Sequence, residues 1–337
     1  MLHPALAESV IKGKRPMTSH TKGILFAILT AIISGFSIWY NKVAVVSGVD
    51  PWIATLIKNS SVALIIGIIL LRDVLFKKKS VEQQITNNLS SAFRLPAIAS
   101  AKEGRLSSIL ALSYIGVVGG GVAFLLYFTG LKMIPAIDAG VIHKSQFLWV
   151  AMFAPLILGE SISWRSIVGF SLIFYANIFF GFKPMQWSYG HMLILAAALL
   201  WALESIAIRH MTQLLDAKKV ALVRMGIGSL FVFLAVLIAG KLSIILTISP
   251  LHWAYLGGAI LFLTGYVISW TKALSLAPAH SVAAVLVLST PITALLSTSF
   301  PVFKQPTQMV LIQLCLTIIG VVLISRSSKK NPHTTTV

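Results

Sequence analysis

The sequence predicts an all-α integral membrane protein of ten transmembrane helices, arranged as two inverted five-helix repeats. Three observations carry this reading. Apolar residues fill 57% of the 337 positions and charged residues only 11%, whereas soluble domains carry about 25% charged residues. The apolar positions fall into ten continuous runs, each near the roughly 20 residues that cross a bilayer. Marks in the first half of the chain recur in the second at a nearly constant offset. This composition excludes a soluble enzyme, a disordered tail protein and a disulfide scaffold. The single cysteine, Cys315, has no internal partner. Long continuous runs favour helices over a barrel, whose strands would alternate.

The elements follow in order. Residues 1–22 form a polar lead-in on the cytoplasmic side and lack the apolar core of a signal peptide. Within them MTSHTKG marks Met17 as an alternative start. The first span, 24–47, contains GFSIWYNK, and the second, 51–73, follows Asp50 and carries Lys58. The loop 74–106, with KKKSVEQQITNNLSSAF, is the longest polar stretch. It reads as a basic loop near anionic lipid, or as a regulatory or partner-binding segment. The third span, 107–131, holds Gly119-Gly120-Gly121, which permits close helix approach or a hinge. The fourth, 135–158, opens at Pro135 and contains His143 and Lys144. The fifth, 162–182, follows Gly159-Glu160 and is among the shortest. The sixth, 188–208, reads WALESIAIR around Glu204, and the seventh, 218–240, follows Asp216 and carries Arg224. The eighth covers 250–274, the ninth, 279–301, opens after Pro278, and the tenth covers 306–325. The repeats thus occupy 23–184 and 185–326, with a cytoplasmic tail at 327–337.

Orientation follows from positive charge. Of the 27 Lys and Arg residues, Lys42, Lys132, Lys183, Lys241 and Lys304 fall on one side, and Lys58, Lys144 and Arg224 lie within spans. The remaining nineteen gather on the side of the amino terminus, which puts both termini in the cytoplasm, with the chain in the inner (plasma) membrane. The same bias accounts for the net charge of +18 without a nucleic-acid partner.

The repeat is legible residue by residue. GFSIWYNK ends at Lys42 and ALESIAIR at Arg209; Asp50 precedes Lys58 by eight residues, as Asp216 precedes Arg224. GLKMIPAIDAGV around Pro135 matches ALSLAPAHSVAA around Pro278. The offsets are 167, 166 and then 143, the shortening corresponding to the 74–106 loop. Five spans per copy turn the second copy upside down, the arrangement of secondary transporters with a midplane site between their halves.

PAIDAGVI through PLILGE in the first half and APAHSVAAVLVLSTPI in the second, together with the ten-helix layout, resemble the drug/metabolite transporter superfamily, EamA type, over about residues 20–326. Gly159-Glu160 with Arg165 resembles the family's loop after the fourth helix, and Lys58 and Arg224 match the cation often carried in the second helix of each repeat. The sequence departs from the pattern in having Leu148 opposite Pro291, Asn177 opposite Gly320, and His143-Lys144 opposite Leu286-Val287. The resemblance implies a carrier that alternates between inward and outward states. Helices one to four and six to nine would surround a cavity, with the fifth and tenth at the periphery. It also implies a small metabolite as cargo, such as an amino acid, usually moved outward.

Charges at membrane depth are costly and are the default functional candidates. Lys144 binds a carboxylate or phosphate, or snorkels to the interface; His143 is its neighbour. Lys58 and Arg224 bond broken carbonyls of a neighbouring helix, gate, or touch substrate. Glu204 pairs with Arg224 or carries a proton. Trp149, Trp201, Trp270 and Tyr127 lie deep enough to stack on substrate or to pack. His191, His210, His252 and His280 lie near span ends and read as interfacial. No motif asks for a cofactor or metal, and no phosphate loop points to ATP. The expected partners are a small-molecule substrate and the lipid bilayer, with protons or exchange as the driving force and a monomer or homodimer as the assembly. Two rivals stand beside the carrier. One is an intramembrane enzyme acting on a lipid or lipid-linked substrate through Lys144, His143 and Glu204; the other is a non-catalytic assembly or sensor protein.

Overall fold

The computed structural model describes residues 17–81, 102–181, 187–298 and 307–327. The segment 1–16, the middle of the 74–106 loop and the tail from 328 lie outside these residues. Among the described residues every regular element is helical, and nine helices are long and apolar enough to cross a membrane. This is a multi-pass membrane protein. The first helix is Ser19–Val46 and the second Pro51–Val81. The third joins Lys102–Ser113, Tyr114–Val122 and Ala123–Met133, and the fourth joins Ala136–Lys144 and Gln146–Leu158. The fifth, Trp164–Gly181, has 18 residues and stands apart from the nine. The sixth is Tyr189–Leu214, the seventh Ala217–Ile238 and the eighth Pro250–Leu276. The ninth joins Ala279–Leu286 and Ser289–Thr298, and the tenth is Thr307–Ser327.

Local chemistry sets the helix ends. The Asp50 carboxylate accepts from the Trp52 and Ile53 N–H groups, and Asp216, its counterpart, from Lys218 N–H. These are the donors a helix start leaves open. Proline disfavours helical backbone in the residue before it. Accordingly Ile134 and Ala277 are extended, and new helices begin after Pro135 and Pro278. Gly159 ends the fourth helix at φ 65°, where a Cβ would be strained. The second helix runs to Val81, past the expected end at 73. Past residue 73 the stretch VLFKKKSV carries the helix formers Leu and Lys and has no Pro or Gly to stop it.

Three helices are irregular where their apolar patterns run straight. Tyr114–Val122 is wound as a π-helix around the triple glycine. The Gly119 carbonyl there accepts from Trp201 Nε1 at 2.9 Å, and the Gly120 carbonyl from Asn59 Nδ2 at 2.8 Å. The fourth helix breaks at Ser145 and the ninth at Val287–Leu288, positions equivalent under the repeat. Beside each break a serine hydroxyl donates to the carbonyl three residues back, Ser145 to Ile142 and Ser289 to Leu286, a local bond that bends helices.

The packing has a two-fold pattern. The first helix packs on the eighth and ninth, and its counterpart, the sixth, on the third and fourth. The second packs on the seventh, the fourth on the ninth and the fifth on the tenth, each with its own counterpart. Single contacts repeat too. Lys42 Nζ donates to Leu131 O at 2.9 Å, and Arg209 Nη1 to Leu274 O at 2.8 Å; each cation caps the C-terminal end of a helix. A Cβ at Gly23 would lie 2.7 Å from Ala277 Cβ, and one at Gly190 2.8 Å from Ile134 Cγ2. Asp50 pairs with Lys241 at one end of the second and seventh helices, and Asp73 with Lys218 at the other. These counterparts therefore run antiparallel, so the second repeat is inverted relative to the first. The face from which the first helix starts is called proximal below, and the opposite face distal.

Candidate functional site: a central cavity between the repeats

Seven helices, the first to fourth and the sixth to eighth, line one cavity at the centre of the bundle. It offers about 60 Å³ to the centres of water-sized molecules, room for a few waters.

The largest fully buried side chains among the described residues are Arg224, Lys58 and Lys144. Arg224 donates to Glu204 through Nε at 2.6 Å and Nη2 at 3.0 Å. Its guanidinium carbon also lies 5.0 Å from the ring centres of Phe124 and Trp270. Lys58 donates to Asn41 Oδ1 at 2.8 Å and stands 3.3 Å over the Phe128 ring. It thus bonds a neighbouring side chain and not the carbonyls that its sequence position suggested. Lys58 and Arg224 each lie two turns into their helices, which start from opposite faces because the repeats are inverted, yet both line this cavity. Lys144 does not snorkel: Nζ donates to Ser34 Oγ at 3.0 Å, and the residue is 1% exposed. Lys144 also borders a second cavity, on the side of the fourth helix that faces Asn177 and Trp187.

Aromatic rings form one wall. His143 lies 5.0 Å from Tyr127 and 4.8 Å from Trp201, and those two rings are 5.2 Å apart. The helix break at Ser145 leaves His143 on this wall and lets Lys144 reach Ser34. Trp270 faces Arg224 from the eighth helix. Trp149 lies outside the lining of this cavity and stacks on Phe153, their centroids 6.4 Å apart, the packing alternative of its sequence reading. It sits five residues past Lys144, on a stretch of the fourth helix that packs in the apolar core.

Three buried polar atoms on the wall have no hydrogen-bond partner: the Tyr127 hydroxyl, His143 Nδ1 and Gln146 Oε1. Such an atom costs about 1–3 kcal/mol if left dry, so their place on one cavity lining fits water or a polar ligand. Ser34, Ser37, Asn41, Gln146 and Tyr266 also line the cavity and escape sequence reasoning. The repeat offset held a signal for one of them, since Ser37 aligns with Glu204. Among the described residues no group of three His, Cys, Asp or Glu could hold a metal ion.

A second cluster lies toward the proximal end, at the turn after the fourth helix. Glu160, in this turn, accepts from Ala279 N–H at 2.8 Å and from His280 Nδ1 at 2.6 Å. Arg209 Nε lies 3.7 Å away. His280 and His191 lie at span ends and are buried there: the first is held by Glu160, and the second shares a capping box with Ser188. Burial pushes the Glu160 carboxyl up, but the His280 side chain and the two backbone N–H bonds outweigh it and hold the group below its ordinary value.

The sequence profile described as the EamA-like transporter family matches residues 21–182 and 188–326. No curated protein matches the chain. One solved structure, described only as the crystal structure of a protein, is similar with a TM-score of 0.63 at 15% identity. The similarity covers 94% of this chain and 100% of that one, and it concerns the fold alone.

Proposed function

The chain belongs to the EamA-like transporter family, and on that footing we propose that it is a secondary active carrier exporting a small polar or amphipathic metabolite with a negative group, an amino acid or organic anion. One observation carries the reading: a cavity between inverted repeats lined by two buried cations, Lys58 and Arg224, and by three polar atoms that lack partners. The breaks in the fourth and ninth helices support alternating access, because a broken helix lets its halves move separately. The present cavity holds a few waters, so a larger cargo requires the helices to part. Cargo with unequal affinity for the two states shifts their populations. The protein resides in the inner membrane with its proximal face and both termini in the cytoplasm, driven by protons or by exchange. Glu204 serves gating or ion coupling, Arg224 and Lys58 gate, couple or touch the substrate, and His143, Lys144, Tyr127, Trp201 and Trp270 serve the substrate, with Trp149 packing behind them.

The test is flux from proteoliposomes loaded with pooled amino acids, organic acids, nucleotides and cationic drugs, followed by mass spectrometry with and without a pH gradient. Selective release of anionic compounds, lost in Lys144→Ala, is expected. Folded protein that releases nothing in either gradient contradicts the carrier reading.

A further inference from the structure

The two repeats treat their buried cations differently. Arg224 is met by the Glu204 carboxylate. By the offsets of 166 and 167, the first-repeat counterparts of Arg224 and Glu204 are Lys58 and Ser37. Lys58 therefore faces neutral groups where Arg224 faces an acid. Ser37 Oγ accepts from Asn41 Nδ2 at 3.0 Å, and Asn41 Oδ1 in turn accepts from Lys58. The ion pairs among the described residues do not include Lys58. Serine is shorter than glutamate by two heavy-atom positions and ends in a neutral group, so the first repeat lacks the carboxylate that the second supplies from its own chain.

An independent observation concerns Tyr127. By the offset of 143 it is the counterpart of Trp270, the ring facing Arg224. Its hydroxyl is buried in the same cavity without a partner. A donor for an acceptor not supplied by the protein thus stands in the half where the carboxylate is missing.

We infer that the substrate supplies this carboxylate: a small organic acid docks with its anionic group against Lys58 and the Tyr127 hydroxyl, at the two-fold mirror of the Glu204 carboxylate. One carboxylate balances one ammonium, as Glu204 balances Arg224. The inference rests on the carrier reading and narrows it, moving the anionic end from Lys144 to Lys58, so that Lys144→Ala acts through the wall it positions. Lys144, bonded to Ser34 and absent from the cavity lining, is left to position that wall.

The experiment puts the carboxylate on the protein. In full-length Ser37→Glu the new acid takes the proposed place. The variant is expected to unfold in detergent at or above the wild-type temperature, and the gain should vanish in Ser37→Glu/Lys58→Met. Absence of coupling between the two substitutions overturns the proposal. Ser37→Asp serves as a second acid; if neither acid variant folds while Ser37→Asn does, the site rejects a carboxylate and the proposal fails. The ligand arm uses the intrinsic fluorescence of the eight tryptophans, of which Trp201 and Trp270 line the cavity, titrated with lactate, alanine and leucine, with their amides, and with chloride. Wild type should respond to at least one carboxylate, not to its amide or to chloride, with half-saturation weakened at least tenfold in Ser37→Glu. A response shared by amide or chloride, one unchanged in Ser37→Glu, or none to any carboxylate overturns it. Proteoliposome flux separates the two readings. No flux of any compound in wild type contradicts the carrier, whereas flux that Ser37→Glu leaves unchanged contradicts only the Lys58 site.

Discussion

Arg224 grips both carboxylate oxygens of Glu204, at 2.6 and 3.0 Å, where neither residue is more than 2% exposed. Breaking such a pair strands a buried charge and costs about 3–5 kcal/mol, whereas replacing both members with apolar groups costs far less. Glu204→Ala should therefore lower the thermal unfolding temperature strongly, and Glu204→Met/Arg224→Met should recover part of the loss. Scanning fluorimetry in detergent reads this, and a fully stable Glu204→Ala would contradict it.

Gly119 makes room for that pair. A Cβ there would lie 2.0 Å from Glu204 Cδ, well inside contact distance. Gly119→Ala should destabilise by about 1–3 kcal/mol, as overpacking does. Gly226 of the seventh helix is the control, since a Cβ there meets nothing within 4 Å. Gly226→Ala should be neutral or stabilising by up to about 1 kcal/mol. Equal effects from the two alanines would refute the steric account.

Glu160 lies outside the membrane spans and gives a pH dependence. Its folded carboxyl is held below the ordinary 4.5, so the folded state binds its proton less readily than the unfolded state. The stabilisation is complete above about pH 4.5 and is lost as the pH falls through the folded value. Wild type should lose unfolding temperature in that acid window. Glu160→Gln should be less stable at pH 7 and show a shallower acid loss. Identical slopes in the two proteins would show that the cluster is not linked to Glu160.

Lys42 donates to the carbonyls of Leu131 and Ile134 at 2.9 and 2.7 Å. Lys42→Met leaves these part-buried acceptors open and should cost about 1–3 kcal/mol. Lys132→Met, at an exposed position nearby, should cost little. A circular-dichroism melt distinguishes the two, and equal melts would remove Lys42 from its capping role.

Much of the site was legible in one dimension. Lys58, Lys144, Arg224 and Glu204 stood out because charge inside an apolar run is costly and therefore rare. Ser37, Asn41 and Gln146 did not, because small polar residues in such runs are common and their depth says nothing of which way they face. Trp149 and Trp201 look alike in sequence. Only Trp201 reaches the cavity, where the Gly119 carbonyl holds its indole N–H.

The sequence by itself determined the helical membrane fold, its repeat and its buried charges. A bilayer forces every spanning segment to satisfy its own backbone over about 20 apolar residues, and duplication leaves Lys42 and Arg209, or Pro135 and Pro278, at readable offsets. The tertiary structure decided where the helices break or unwind and which charges share one cavity. Those outcomes rest on bonds between distant segments, such as Asn59 to Gly120 and Trp201 to Gly119. Hydropathy records how deep a residue lies but not the rotation of its helix against a neighbour, and that rotation brings Lys58 and Arg224 to the same cavity.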